Sequence, residues 1–278
     1  MRRTLILLSV AAAAGVVLVA VPAGAQSTSR PKAAAGPTNF VSDCPFSHRA
    51  PDDLIVHPGV PGAAHSHDFF ANTTTDAFST YESLRGGDTS CRIEGDTAAY
   101  WAPTLYDGGQ VVEPRLLAYY LTGGKDEASI EPFPADLRIV TRMGEGVRWA
   151  CADANGPGAT RGTRDVPDCP DGTFLVMRVH FPDCWDGRNL DSADHRGHMA
   201  FSRRGACPST HPVPVPRLRM SVRYPGSNGG DDITLASGGP ETAHADFFNA
   251  WNQRVLEQLV ERCLNAGVHC GQRPARML

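Results

Sequence analysis

Lysine is nearly missing from the sequence, and so is any excess of positive charge. Only Lys32 and Lys125 occur among 278 residues, and 26 basic side chains stand against 30 acidic ones, for a formal net charge of −4. Proteins that bind nucleic acids or anionic membranes through their overall charge need a basic balance. We therefore expect no nucleic-acid partner.

Long hydrophobic runs are missing after the first 25 residues. The one such run, Leu5 to Val21, starts after two arginines and ends in small residues, an arrangement typical of a secretory signal peptide. A membrane anchor is the alternative interpretation. We predict a signal peptide over 1–25, a polar disordered spacer over 26–39 and a single β-rich domain over 40–278, with no membrane contact after signal cleavage.

Three widespread catalytic motifs are also absent. The sequence contains no GxSxG nucleophile elbow, no Walker-type phosphate loop and no HExxH zinc helix. These absences argue against the common serine-hydrolase, nucleotide-triphosphatase and zinc-protease arrangements. Any catalysis must rest on other polar side chains.

No cysteine lies in a CxxC pair, and all eight follow the predicted signal peptide. An even number in an exported chain indicates four disulfides rather than zinc or redox sites. The location that follows is secreted, either extracellular or associated with the cell wall. Short loops favour pairing of neighbours, although many other pairings are possible: Cys44 with Cys91, Cys151 with Cys169, Cys184 with Cys207 and Cys263 with Cys270.

Runs rich in β-branched and aromatic residues recur between clusters of Gly, Pro, Asp and Asn. Segments such as "RLLAYYLT", "TFLVMRVHF" and "RLRMSVRY" have this composition. They predict a mostly β fold, namely a jelly-roll-like β-sandwich stapled by disulfides. Near the end, "DFFNAWNQRVLEQLVERCLNAG" (246–267) places apolar residues on one helical stripe and Gly267 as a stop, which predicts a C-terminal α-helix.

Histidine and aspartate recur together in segments far apart in sequence. His65 and His67 in "AAHSHDFF" would project to one face of a strand. Imidazoles that converge can bind a divalent metal or transfer a proton. A hydrogen-bonded surface pair is the plainer interpretation of His65 and His67, and His244 could simply cap the helix. We predict that one pocket collects His65 and His67 as ligands of a divalent metal, zinc or copper, together with six acid–base candidates: Asp191, Asp194, His195, His198, His244 and Asp246.

Aromatic and polar residues of "CWDGRN" suggest a place for a ligand. Trp185 could stack on the apolar face of a sugar ring or could be buried beside a Cys184 disulfide. Asp186 and Asn189 have the composition of a turn. We predict a substrate-binding group of four residues: Trp101, Trp185, Asp186 and Asn189.

The ordered series "HSHDFF", "AYWAPTLY", "CWDGRNLDSADHRGHMAFS", "THPVPVP" and "HADFFNAWN" resembles the DUF1996 family of secreted bacterial and fungal domains. One departure is visible, because Ala63 and Ala64 stand where a serine-bearing element is usual. The resemblance implies an extracellular location and a polysaccharide partner. It implies no particular reaction.

These observations lead to two hypotheses about function. The first is a carbohydrate-active enzyme, a hydrolase or lyase that acts on extracellular or cell-wall polysaccharide with histidine and aspartate as acid and base. The alternative is a non-catalytic envelope protein that binds a glycan or a metal. In either case we expect a monomer.

Overall fold

A computed structural model describes residues 37–153 and 160–272. The predicted signal peptide and residues 26–36 of the predicted spacer lie outside these ranges. Within them, no helix combines the length and the apolar character needed to cross a membrane.

Strands dominate the described residues, as predicted, and most are short. Two helices, α1 (Tyr81–Arg85) and α2 (Gln253–Leu259), accompany them, and a π-helical turn (Val260–Asn265) extends α2. The strands are β1 (Asn39–Ala50), β2 (His67–Ala71), β3 (Ala99–Pro103), β4 (Leu105–Asp107), β5 (Gln110–Val111), β6 (Arg115–Leu121), β7 (Arg138–Val140), β8 (Val147–Asp153), β9 (Thr173–His180), β10 (Cys184–Trp185), β11 (Met199–Ala200), β12 (Val213–Pro214), β13 (Arg217–Tyr224), β14 (Ile233–Leu235), β15 (Asp246–Phe248) and β16 (His269–Gly271).

Strand β1 belongs to both halves of a ten-stranded sheet. Its first part pairs antiparallel with β6, from Asn39 opposite Leu121 onward, and its last part pairs with β2. A register shift between Phe46 and His48 separates the two parts, and such a bulge bends a strand. The first half-sheet has the order β1-β6-β13-β9-β8, and the second has the order β1-β2-β3-β15-β7. Strand β16 adds a parallel pairing to β1.

The inner faces of the two half-sheets share one hydrophobic core. Tyr120 of β6 stacks on Phe40 with ring centroids 4.5 Å apart. Its hydroxyl lies 2.6 Å from the hydroxyl of Tyr100 on β3, and the Trp251 indole N–H donates to it at 2.8 Å. Because these polar atoms are paired, three large aromatic residues can be buried completely between the half-sheets. The predicted mostly β architecture is confirmed.

All four predicted disulfides form. They join Cys44 to Cys91, Cys151 to Cys169, Cys184 to Cys207 and Cys263 to Cys270. No cysteine is left free.

The C-terminal helix is present but begins later than the apolar stripe predicts. Residues Asp246–Phe248 form β15, in which Phe247 faces the shared core and Phe248 faces the opposite side. Asn252 caps the helix by accepting a hydrogen bond from the Val255 amide. Apolar residues in succession fit a strand buried on both faces as well as a helix, so periodicity alone gave the wrong start.

We predict that the disulfides contribute unequally to stability. The bond between Cys44 and Cys91 closes a loop with a sequence separation of 47, and that between Cys263 and Cys270 one of 7. Loop-closure entropy then gives losses of about 4 and about 2.5 kcal/mol for the paired Cys→Ser variants. Urea unfolding measures both, and equal losses would contradict this order.

Candidate functional site

The outer face of the second half-sheet carries its own hydrophobic cluster, separate from the shared core. Phe69, Trp101 and Phe248 are buried there on neighbouring strands. Leu54 and Ile55, which come from the segment between β1 and β2, pack on them. Burial of these two side chains holds that segment against the outer face.

Strand alternation places polar residues beside this cluster. His67 precedes Phe69 by two residues in β2, and Asp246 precedes Phe248 by two in β15, so both lie on the same outer face. Asp246 pairs with Trp101 across the strands. His65 and His244 lie two residues before His67 and Asp246.

Five side chains meet at this point, and we call them the histidine–aspartate cluster: Asp53, His65, His67, His244 and Asp246. Ligand-type atoms of the three histidines lie within 4.8 Å of one another, as do those of Asp53, His67 and Asp246. The ring centroid of His65 lies 4.2 Å from the ring centroid of His67 and 5.2 Å from that of His244. His67 therefore belongs to both groups of three.

Backbone carbonyl groups orient two of the imidazoles. His67 Nδ1 lies 2.9 Å from the Asp52 carbonyl oxygen, and His244 Nδ1 lies 2.8 Å from that of Thr242. A carbonyl oxygen can only accept, so each Nδ1 carries the proton and each Nε2 keeps a free lone pair. This arrangement is the usual one for a histidine that binds a metal through Nε2.

Several polar atoms of the cluster have no partner. Nε2 of His65, Nε2 of His67 and both carboxylate oxygens of Asp246 are buried without a hydrogen bond from any described residue. The Thr141 amide meets hydrogen-bond geometry with the Ala245 carbonyl and only approaches Asp246, whose pKa this contact lowers. Buried polar atoms without partners are costly and rare in folded proteins, so this group calls for a ligand.

Burial sets the protonation of the cluster. Loss of hydration, followed by repulsion from a neighbouring imidazole, lowers the pKa of His65 to about 4 and that of His67 to about 3. The pKa of His244 is lowered as well, mainly by burial. Burial, followed by repulsion from Asp53, raises the pKa of Asp246 well above its usual value. At neutral pH the histidines are therefore uncharged, which is the form that binds metals.

The donor set suits a divalent transition metal. Ligand atoms about 2.0 to 2.2 Å from a tetrahedral zinc ion lie about 3.3 to 3.6 Å apart. The ligand atoms of each group here lie within 4.8 Å of one another, so the side chains would draw together on binding. Imidazole and carboxylate donors fit zinc and copper. A third group, Cys44, Cys91 and Asp96, is also compact, but its sulfurs form a disulfide and are not available as ligands.

The predicted acid–base residues of the segment 190–198 lie along the edge strand β7. The Arg138 and Val140 amides donate to the carbonyls of Leu190 and His195. Both ring nitrogens of His198 are occupied, since Nε2 contacts the Arg138 carbonyl at 2.7 Å and Nδ1 contacts Ser192 at 2.9 Å. The ring of His198 thus fastens the segment to β7.

The remaining predicted residues of this segment also make local contacts. His195 Nδ1 lies 2.9 Å from the Asp191 carboxylate. Asp194 accepts hydrogen bonds from Ser192 and from the amides of Arg196 and Gly197, and these bonds lower the pKa of its carboxyl group. Neither His195 nor His198 belongs to a described group of ligand atoms gathered within 4.8 Å.

Arg196 links this segment to the histidine–aspartate cluster. Its positive charge lowers the pKa of both His244 and Asp246, and its Nε is buried without a hydrogen bond from the described residues. Arg196 also lines a cleft of about 340 Å³ with Thr141, Glu145 and His211. Thr141 contacts Ala245, between His244 and Asp246, so the cleft adjoins the cluster.

The predicted substrate-binding residues do not form one surface. The Trp185 indole donates to the Asn189 carbonyl at 2.6 Å, and Asp186 accepts from the Asn189 amide at 2.9 Å, so these three residues form a compact turn. Trp101 is fully buried on the outer face of the second half-sheet. A ligand contact by any of the four stays a prediction.

Two residues that the sequence did not single out are Asp53 and Arg196. Asp53 accepts hydrogen bonds from the amides of Ile55 and Val56. These bonds fix a turn in the segment between β1 and β2, which we call the covering segment. The place of Asp53 immediately before two buried apolar residues was the available signal. Arg196 is one of many arginines in the sequence, and no sequence signal marked it as a site residue.

Comparison with known proteins identifies one similarity. A family described as a domain of unknown function (DUF1996) matches residues 53–251. No curated protein and no solved structure matches the chain. The matched range starts at Asp53 and includes all five members of the histidine–aspartate cluster.

The lowered pKa of His67 predicts a pH-dependent stability. The unfolded chain takes up a proton near pH 6.5, but folded His67 stays neutral down to about pH 3. Its contribution is therefore complete above pH 6.5 and is lost as the pH falls. Relative to the wild type, His67→Asn should gain about 1 kcal/mol of unfolding free energy per pH unit below 6.5. Urea titrations with a chelator present measure this difference.

The exposed ring of His269 provides a matched control. His269→Asn, measured under the same conditions, separates burial from general effects of the substitution. A constant difference between His67→Asn and the wild type from pH 6.5 to pH 4 would show that folded His67 does not resist protonation in this range.

Proposed function

The chain belongs to the DUF1996 family, which supplies no reaction, and we propose from the site itself that this protein is a secreted, metal-dependent, carbohydrate-active enzyme. Its metal ligands are His65, His67 and His244, with carboxylates from Asp53 and Asp246. Its substrate is an extracellular or cell-wall polysaccharide, cleaved by hydrolysis or elimination. Zinc and copper are the metals that fit the donor set.

One observation carries the proposal: buried lone pairs converge without partners. His67 Nε2 and both Asp246 oxygens have no hydrogen bond from the described residues, while His67 and His244 are oriented through Nδ1 by carbonyl groups. A purely structural histidine would use both nitrogens, as His198 does. A cation at either group of three would give His67 Nε2 a partner, and a cation held by Asp53, His67 and Asp246 would also reduce the repulsion between the two carboxylates.

The surroundings support catalysis at such a site. His65 is only half-buried, so a substrate can approach the cluster from that side. Zinc held by His65, His67 and His244 would make a water molecule nucleophilic or polarise a substrate oxygen. Arg196, with its unpartnered Nε, could bind a carboxylate or hydroxyl group in the adjoining cleft.

Export and the carbohydrate substrate rest on less direct support. Four disulfides are typical of proteins that fold in an oxidising compartment. Polysaccharides are the abundant polymers outside the cell, and the cleft of about 340 Å³ is within the size range of small-molecule pockets.

The second candidate function is metal binding without catalysis. His67 is 0% and Asp246 is 1% exposed, and five protein ligands could close the coordination sphere. Structural metal sites are closed, whereas catalytic ones keep a position for water or substrate. Metal content alone does not distinguish the two functions, so turnover must be measured as well.

We predict about one zinc or copper ion per chain in the untagged, secreted protein, because the two groups of three candidate ligands share His67 and cannot both hold an ion. His67→Ala and Asp246→Asn should lose the ion, and His198→Ala should keep it, since both His198 nitrogens already have partners. Elemental analysis of the purified variants measures this. Metal-free wild-type protein, or equal loss in His198→Ala, would refute the site.

We further predict that the metal-loaded protein shortens a polysaccharide and that Arg196→Gln lowers kcat/KM about tenfold or more, by removing a charge-assisted contact. New reducing ends report hydrolysis, and absorbance of the unsaturated product reports elimination. Arg203→Gln, an exposed position outside the cleft, is the matched control. A full metal complement with no turnover on a broad polysaccharide panel would favour the binding function.

A further inference from the structure

A second polar surface lies on the outer face of the first half-sheet. In β13, alternate residues from Leu218 to Tyr224 are buried in the shared core, so the intervening residues point outward. The same alternation applies in β8 and β9. Four of the outward residues, all partly exposed, are arginines that we call the arginine face: Arg148, Arg178, Arg219 and Arg223.

The strand register brings these positive charges close together. Arg178 pairs directly with Arg148 across β9 and β8. Arg219 pairs with His180 on one side and with Tyr119 on the other. Like charges directly opposite each other destabilise a sheet, so this arrangement has an energetic cost that the fold alone does not explain.

No carboxylate in the described part of the chain forms an ion pair with the arginine face. Arg219 lies over the Tyr119 ring at 4.1 Å, and Arg223 lies over Phe174 at 4.8 Å. By contrast, Arg115 and Arg217 at the border of the same face pair with Asp43 at 2.6 Å and Asp183 at 2.9 Å. Most of the charge on the face is therefore uncompensated.

The positive charges of these arginines act on His180, which lies among them. His180 has its pKa lowered to about 4, first by burial and then by Arg219, Arg217, Arg178 and Arg148. A neutral imidazole beside four guanidinium groups indicates a positive potential localised on one surface of a chain whose formal net charge is −4.

We propose that the arginine face binds an acidic polysaccharide through its carboxylate groups. Guanidinium groups bind carboxylates with two parallel hydrogen bonds. Neighbouring strands are about 4.8 Å apart, so the face presents a repeated set of cations to a repeated set of anions. The rings of Tyr119 and Phe174 lie beneath Arg219 and Arg223 and hold these two guanidinium groups in place by cation–π contacts.

A uronate polymer fits this surface better than a nucleic acid does. The four disulfides place the folded chain in an oxidising compartment, where acidic glycans are common polyanions. The arginine face is on the first half-sheet, whereas the histidine–aspartate cluster is on the second. This proposal therefore holds whether or not the cluster binds a metal.

The test uses the full chain with polygalacturonate, with dextran as a neutral control and with duplex DNA as the competing polyanion. Calorimetry or biolayer interferometry should detect polygalacturonate binding that weakens with salt. Arg178→Gln/Arg219→Gln should reduce affinity about tenfold or more. The matched control, Arg203→Gln/Arg254→Gln, removes the same charge at exposed positions elsewhere and should leave the affinity within twofold of the wild type, about 0.4 kcal/mol.

Folding of the variants is checked by thermal unfolding. Should the double variant fail to fold, the single variant Arg148→Gln replaces it, with Arg203→Gln as its control. No binding of polygalacturonate by the wild type, equal loss in both variants, or tighter binding of DNA would each overturn the proposal.

Discussion

Burial of Asp246 beside Asp53, with neither Asp246 oxygen in a well-formed hydrogen bond in the described part of the chain, is the constraint on which the candidate site depends. Such a pair is tolerable in a folded chain only if a proton or a cation balances it. The surrounding features serve this arrangement, because Leu54 and Ile55 hold the covering segment in place and carbonyl groups orient the imidazoles. The hydrophobic cluster on the outer face thus makes possible the polar cluster next to it.

More of the fold than of the candidate site could be predicted from the sequence. Runs rich in β-branched and aromatic residues identified strands such as β6, β9 and β13, and sequence proximity identified the disulfides. The start of α2 was wrong because a strand buried on both faces has the same apolar content as a helix. The pair His65 and His67 was visible as a two-residue spacing, but Asp53 became recognisable only when the turn before Leu54 brought it to His67.

The arginine face of the first half-sheet could not be predicted from the net charge of the whole chain. A formal net charge of −4 gives no hint of four arginines without carboxylate partners in the described structure. The alternation of Arg219 and Arg223 with core residues such as Met220 and Val222 is visible in the sequence "RLRMSVRY". The proximity of all four arginines, however, depends on which strands are neighbours. Register across β13, β9 and β8 is a long-range property that composition does not contain.

The parallel pairing of β16 with β1 places the first and last strands of the described domain side by side, with Asn39 opposite His269. The histidine–aspartate cluster lies on strands away from this junction, whereas Gln272, just after β16, lines a cleft with Arg223 of the arginine face. The domain therefore has the geometry of an insertable module: its two ends could be joined to adjacent positions of a host loop, or to each other by a short linker, without disturbing the histidine–aspartate cluster. Such a circularly closed form would keep both surfaces on one scaffold with fewer unfolded conformations available to it.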